Sequence, residues 1–208
     1  MTIHPKKTLR ASEQDRGDVQ ERRREWAKFQ AEAPADKLVF VDESGAKTNM
    51  TRLYGRSPKG KRCFCKAPDG RWERVTMLSA IRLDGSVESI VFEGATDRAI
   101  FDEYITGTLA PTLRPGDILV LDNLSVHKSP AMQEAVEARG AEVRFLAAYS
   151  PDMNPIEKMW SKVKATLCKI EARTNGELFD AVGVALAMVT ASDAKGWFES
   201  CGYIASQS

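Results

Sequence analysis

The chain has 208 residues, enough for one domain or for a domain with an additional arm. Its hydrophobic fraction of 43% is typical of a globular protein, and a formal net charge of only +1 excludes nucleic-acid binding through bulk positive charge. A nucleic-acid surface must therefore be a local patch. No apolar run approaches the ~18 residues of a membrane span and the N-terminus does not resemble a signal peptide, so we expect no membrane partner and a cytoplasmic location.

Residues 1–36 are polar and highly charged, and residues 13–30 are rich in helix formers. Their large apolar side chains are Val19, Trp26 and Phe29, of which the last two are three positions apart and would form a narrow stripe on a helix. We interpret this region as an N-terminal helical arm docked by that stripe. The alternative is a connector from a DNA-binding module outside the chain.

From residue 37 onward, runs of apolar residues predict a domain of strands and helices covering residues 37–208. Predicted strands cover residues 37–41, 72–82, 87–92, 118–121 and 142–147. Predicted helices cover residues 97–113, 129–139, 155–170 and 176–189, with a short closing segment at 194–200. Three successive strands followed by alternating strands and helices predict an α/β fold, with a mixed five-stranded sheet and helices on both faces.

A basic loop follows the first strand. Residues 52–66 carry six basic residues and no acid, and their glycines and proline mark a turn-rich segment. Such an acid-free run is unusual in a chain of balanced charge, so we predict that it contacts DNA phosphates. The alternative is a solvated charged hairpin. The candidate contact residues are Arg52, Arg56, Lys59, Lys61 and Arg62.

The cysteines do not indicate a metal site or a disulfide framework. Cys63 and Cys65 form a C-x-C pair, but the chain has no second pair and only two histidines. A structural zinc site is therefore disfavoured, and a reduced protein is expected.

Two of the predicted strands are followed directly by an aspartate, since four apolar residues precede Asp42 and four precede Asp122. Ligands of an open α/β sheet collect at the carboxyl ends of its strands, so these carboxylates would lie close together if the strands are neighbours. Two such anions raise each other's pKa unless a cation lies between them, and Mg²⁺ or Mn²⁺ is the natural partner. Taken alone, each aspartate would more often be a turn residue or a helix cap.

A third acid, Glu157, lies in the first turn of the helix predicted from residue 155, with 34 residues between it and Asp122. The local alternative is a capping box, because Asn154 suits the N-cap, Pro155 the first helical position and Glu157 the third. The two roles can coexist, since a cap would fix the helix start that aims Glu157.

Longer motifs surround the three acids. They read Asp-Asn-Leu-Ser-Val-His-Lys at 122–128 and Tyr-Ser-Pro-Asp-Met-Asn-Pro-Ile-Glu at 149–157. Together with Asp-Glu-Ser after the first strand, the segment 48–55 and the 34-residue gap, they closely resemble the DDE endonuclease domain of mariner-type bacterial insertion-sequence transposases, the insertion-sequence-630 family. The resemblance runs from about Lys6 to about Tyr203.

The resemblance implies a ribonuclease-H-like core in which Asp42, Asp122 and Glu157 are catalytic and hold two Mg²⁺ or Mn²⁺ ions. One ion would activate a water or a 3′-hydroxyl, and the other would stabilise the leaving oxygen. The implied reactions are cleavage at the ends of the insertion sequence and strand transfer into target DNA, usually at a TA dinucleotide.

The resemblance also implies partners. His127 and Lys128 occupy the family's positions and would contact the double-stranded DNA of the terminal inverted repeats and the target. The helix-turn-helix region that reads the repeats is expected in an upstream half joined by frameshifting, and the active complex is expected to be a homodimer in the bacterial cytoplasm, with the nucleoid.

The sequence departs from the family in two ways, of which the missing helix-turn-helix region is the larger. The other is Ala147-Ala148, which stands where the family usually has a proline pair and predicts a less rigid loop and a less well placed Glu157. Two alternatives to a transposase remain. The first alternative is another nuclease of the same fold, such as a junction resolvase; the motif at 150–157 and the 34-residue gap argue against it. The second is a non-catalytic DNA-binding remnant of a decayed element, and the presence of all three acids argues against that.

Overall fold

The computed structural model describes residues 11–203 except 65, 67, 69 and 124–127. It contains five strands: β1 (Leu38–Lys47), β2 (Arg74–Arg82), β3 (Val87–Glu93), β4 (Ile118–Leu121) and β5 (Glu142–Phe145). Its α-helices are α1 (Gly17–Glu32), α2 (Arg98–Glu103), α3 (Pro130–Glu137), α4 (Pro155–Ile170), α5 (Asn175–Ala187) and α6 (Ala191–Ser200).

The five strands form one mixed sheet in the order β3-β2-β1-β4-β5. The first three are antiparallel neighbours, whereas β1, β4 and β5 run parallel. The short turn between β2 and β3 can only reverse the chain, whereas the parallel neighbours β4 and β5 are joined by a longer crossover that contains α3. The predicted mixed five-stranded sheet is confirmed.

Each face of the sheet is covered by its own set of helices. On one face, Phe40 and Val120 pack with Trp160 of α4 and with side chains of α1, α5 and α6. On the other face, Val41 and Leu119 pack with the segment from α2 to residue 113 and with α3. Alternation along a strand sends successive side chains to opposite faces, so strands buried on both sides need continuous apolar runs.

The predicted helix at 97–113 is divided into three parts. Asp97 caps α2, whose helix passes into a π-helical turn at Tyr104–Leu109 and a 3₁₀ turn at Ala110–Thr112. Pro111 cannot supply the N–H that a continuing α-helix needs, which accounts for the change near the end.

The N-terminal helix α1 packs on the domain. Trp26 is only 6% exposed, and its indole N–H donates to the hydroxyl of Tyr203 at 2.9 Å. Trp26 and Phe29 pack on the core, as the sequence pattern predicted. The boundary at residue 36 between an arm and a catalytic domain stays a prediction. Of the helices in the described part of the chain, none has the length and apolarity to cross a bilayer.

Candidate active site

The sheet register places Asp42 and Asp122 side by side. Phe40 pairs with Val120 in the parallel β1–β4 ladder, and each aspartate lies two residues beyond its member of that pair. Both residues are half-buried. The structure corrects the position of Asp42, which is not at a strand end: β1 continues to Lys47 and Asp42 pairs with Ser79 of β2. The strand is unpaired beyond Phe40 only on the β4 side, and this is where Asp122 lies.

Glu157 approaches from the start of α4. Asn154 occupies the N-cap position without a side-chain capping bond, so the capping box considered for Glu157 is wrong. Complete capping boxes are instead formed at α5 and α6, where Glu177 and Asp193 bond back to the N-cap backbone. Glu157 is exposed and its carboxylate is not used to start its own helix.

The three acids line one cavity of about 420 Å³. Its other walls are the end of β5 and the loop that leads into α4. The remaining lining residues are Asn123, Leu146, Ala147, Ala148, Tyr149, Ser150, Pro151 and Asn154. Acids separated by up to 115 positions in the sequence are thus brought to one concave surface, as the sequence predicted.

The electrostatics of the cavity favour a cation. Burial, together with the negative charges of Glu157 and Asp122, raises the pKa of Asp42 to about 7, although a 2.8 Å hydrogen bond from the Glu43 backbone N–H opposes the shift. A carboxyl held in this way repels its neighbours when all are ionised. Positive charge brought into the cavity would relieve that repulsion.

The donor set suits a hard divalent cation, because all three acids offer oxygen. Asn154 adds a buried side-chain oxygen that lacks a hydrogen-bond partner among the described residues and lines the same cavity. Within the described part of the chain, no three His, Cys, Asp or Glu side chains form a ready metal cluster. The carboxylates would therefore have to turn toward a shared ion.

The predicted DNA-contact loop lies apart from the cavity. Between β1 and β2, the described residues beyond Thr51 have no regular secondary structure until Arg74. The five candidate cations are all exposed, as are Leu53, Tyr54 and Phe64. The base of the loop is held by Arg173, whose guanidinium donates to the backbone oxygens of Thr48 and Met50 at 3.0 and 2.9 Å.

The two remaining candidates follow Asp122. Lys128 is exposed, with its ammonium 5.4 Å from the centre of the Phe145 ring. His127 lies outside the described residues, as does Cys65. Cys63 is exposed and free.

A second groove, of about 360 Å³, adjoins the cavity and shares Asn123, Leu146 and Ala147 with it. Arg22 and Arg144 line this groove, and the Arg144 guanidinium stacks 4.4 Å from the ring centre of Phe29. Sequence reasoning missed these arginines, since they are far apart in the chain. It also missed Asn154 as a cavity residue, and the only signal was its place three positions before Glu157.

Comparison with known proteins gives the family of the chain and relatives of its fold. The model of the DDE superfamily endonuclease family matches residues 37–178, a span that contains all three acids. The chain therefore belongs to the DDE superfamily of endonucleases. No curated protein matches the sequence.

Solved structures of Mos1 mariner transposase share the fold. The Mos1 paired-end complex with left transposon end has a TM-score of 0.76 at 16% identity, covering 96% of this chain and 63% of that chain. The crystal structure of the Mos1 catalytic domain has a TM-score of 0.67 at 13% identity, covering 93% and 91%. The Mos1 paired-end complex with Mg has a TM-score of 0.72 at 16% identity, covering 98% and 64%. The likeness confirms the ribonuclease-H-like fold, and the chain spans less than two thirds of the Mos1 chains in the paired-end complexes.

Proposed function

We propose that the chain is the catalytic region of a DNA transposase that cleaves the ends of an insertion sequence and joins them to target DNA. One observation carries the proposal: Asp42, Asp122 and Glu157 line a single cavity within the span matched by the endonuclease family. Glu157 does not form a capping box at α4 and Asp42 is not at the end of β1, so these local alternatives do not account for those two acids.

The three carboxylates would hold Mg²⁺ or Mn²⁺, two ions in the proposed form. When bound, these ions would supply positive charge at the scissile phosphate and favour deprotonation of the attacking water or 3′-hydroxyl. Without a cation the three carboxylates would repel one another, and Asp42 would lose its proton as the cation arrives. Mos1 paired-end complexes have been solved with Mn and with Mg, which supports the choice of metal.

Double-stranded DNA would be the substrate, both as inverted repeats and as target. The Mos1 structures include a complex with a transposon end and a strand transfer complex, and this supports a DNA substrate here. We propose that Arg52, Arg56, Lys59, Lys61 and Arg62 neutralise its phosphates, and that His127 and Lys128, which follow Asp122 in the sequence, also contact the DNA. Exposed cations without acid neighbours in the sequence suit this role.

The finer identity also belongs to this proposal. The motifs at 122–128 and 149–157 support a bacterial element of the insertion-sequence-630 family. The upstream helix-turn-helix half would supply sequence recognition, and a homodimer would bring two ends together. Such a protein would act on bacterial DNA in the cytoplasm, with the nucleoid.

Strand cleavage tests the proposal directly. The frameshift-joined protein is incubated with a labelled duplex that carries the ends of its own element, with Mg²⁺ or Mn²⁺ and beside the variant Asp122→Asn. We expect metal-dependent cleavage by the wild type and a loss of at least about 100-fold in the variant. Cleavage that persists unchanged in Asp122→Asn would rule out the three-carboxylate mechanism.

A further inference from the structure

The loop that leads into α4 contains a residue in the left-handed conformation and is contacted by residues distant in the sequence. Tyr149 has a φ of 56°, a left-handed conformation that costs a residue with a side chain roughly 1 kcal/mol. Pro151–Met153 then forms a single 3₁₀ turn, and Asn154 begins the helix that carries Glu157. A short strained loop of this kind keeps one shape only when contacts elsewhere hold it.

Those contacts come from the N-terminal region, far away in the sequence. The Arg23 guanidinium donates to both carboxylate oxygens of Asp152, at 3.0 and 2.7 Å, and to the hydroxyl of buried Ser150 at 2.7 Å. The side-chain amide of Gln14 donates to the backbone oxygen of Tyr149 at 2.6 Å. A guanidinium that pairs with a carboxylate through two parallel bonds fixes orientation as well as distance.

A third support reaches the far end of the loop through the core. The Trp26 indole donates to the hydroxyl of Tyr203, and this hydroxyl donates to the backbone oxygen of Met153 at 2.8 Å. Trp26 is 6% exposed and Tyr203 1%, so this relay is shielded from water. The loop is thus held at its start, middle and end by groups that belong to or rest on α1 and the segment before it.

We infer that α1 is a brace for the active site and that Arg23 is a positioning residue for Glu157. Arg23 reaches no acid of the cavity; it fixes the Ser150 and Asp152 side chains, and through them the helix start that places Glu157. Misplacement of a reacting group by about 1 Å can cost roughly 100-fold in rate, so loss of the brace would lower turnover more than DNA affinity. The inference rests on the proposed function and adds a residue to it.

The test uses the frameshift-joined protein, its element-end duplex and a double-mutant cycle of Arg23→Ala and Asp152→Ala. We expect each single variant to lower kcat by roughly tenfold or more, while KM for DNA stays within about twofold. The double variant should lose no more than either single variant, because both substitutions break the same contact. Arg23→Lys keeps the positive charge but loses the two parallel bonds to Asp152, so its kcat should lie between those of the wild type and Arg23→Ala. Lys28→Ala is the matched control, because Lys28 is an exposed cation of the same helix and forms none of these bonds.

Amide hydrogen exchange provides the second readout, measured without DNA or metal. We expect faster exchange at residues 149–157 in Arg23→Ala and Asp152→Ala, with β4 and α5 unchanged. Exchange and kcat equal to those of Lys28→Ala, or rate losses that multiply in the double variant, would overturn the inference. A wild type that fails to cleave DNA would contradict the proposed function instead, and the exchange at residues 149–157 would still decide whether Arg23 braces the loop.

Discussion

The two ends of β4 carry aspartates with opposite surroundings. Asp117, just before the strand, is 1% exposed; it accepts the Arg114 backbone N–H at 2.8 Å and pairs with the nearly buried Arg82 guanidinium at 2.8 Å. Asp122, just after the strand, lines a cavity with two more acids. The first carboxylate is paired with a buried guanidinium, whereas the second shares its cavity with two further carboxylates. This difference in surroundings is the basis for the structural role assigned to Asp117 and the catalytic role proposed for Asp122.

The largest loss of DNA cleavage is expected when Glu157 is replaced. Since the helix start does not use its side chain, Glu157→Gln should leave the free energy of unfolding within about 0.5 kcal/mol of the wild type. Cleavage of the element-end duplex should fall at least about 100-fold, because the third carboxylate is lost. Denaturant unfolding and a cleavage time course measure the two quantities. A stability loss with cleavage retained would return Glu157 to the role of a cap.

The opposite result is expected at the other end of β4. Asp117→Asn leaves the Arg82 guanidinium buried without its counter-charge, so we expect a loss of about 3–5 kcal/mol in the free energy of unfolding. Below the unfolding transition, the folded variant should cleave DNA at the wild-type rate. If Asp117→Asn kept its stability but cleaved DNA poorly, the structural role of Asp117 would be contradicted.

A third effect concerns pH and Asp42. Its pKa is raised from 3.8 to about 7 in the folded chain, so the folded state holds the proton more tightly than the unfolded state between these values. The metal-free protein should therefore lose stability as pH rises from about 4 to 7, with the full penalty above 7. Asp42→Asn removes the titrating group, so it should stabilise the metal-free protein by up to roughly 4 kcal/mol above pH 7 and by little near pH 4.

Chemical denaturation of wild type and Asp42→Asn across this pH range checks the prediction. Asp180→Asn is the matched control, since Asp180 is an exposed acid of α5. Equal pH profiles for wild type and Asp42→Asn would show that the cavity does not strain its carboxylates.

The smallest effect is expected at the basic loop, which contacts neither end of β4 and would contribute only phosphate contacts. Lys59→Ala and Arg62→Ala should each reduce the slope of log affinity against log salt by about 1, with little change in stability. Fluorescence anisotropy with a duplex at several salt concentrations measures that slope. Lys195→Ala, at an exposed position of α6, serves as control, and a slope equal to the control would leave the loop as a solvated hairpin.

The sequence predicted best what short-range pattern determines. Ile118–Leu121 is bounded by a turn and an aspartate, and the structure gives the strand the same limits. The second half of β1 was missed because its residues are polar and are held in the sheet by pairing with β2 alone. A strand segment that is paired on one side only need not be apolar, so its composition does not identify it as a strand.

Only the part of the site that follows from the strand pattern was predicted from the sequence. Sheet topology brought Asp42 and Asp122 together as expected, since parallel strands in register place residues after them at one edge. The Asn154 and Glu157 spacing favoured a capping box that did not form, because Asn154 is buried at the cavity instead of capping α4. The bonds from Arg23 to Ser150 and Asp152 join positions more than 120 apart, and no local pattern announces such a pair.

Direct metal binding tests the central claim, that three acids of this cavity act as one cation site. Mn²⁺ is titrated into the wild type and into Asp42→Asn, Asp122→Asn and Glu157→Gln by calorimetry at neutral pH, with Asp180→Asn as control. We predict saturable binding by wild type and control and a loss of at least about tenfold in affinity for each of the three variants. Equal Mn²⁺ affinity in all five proteins would contradict the account.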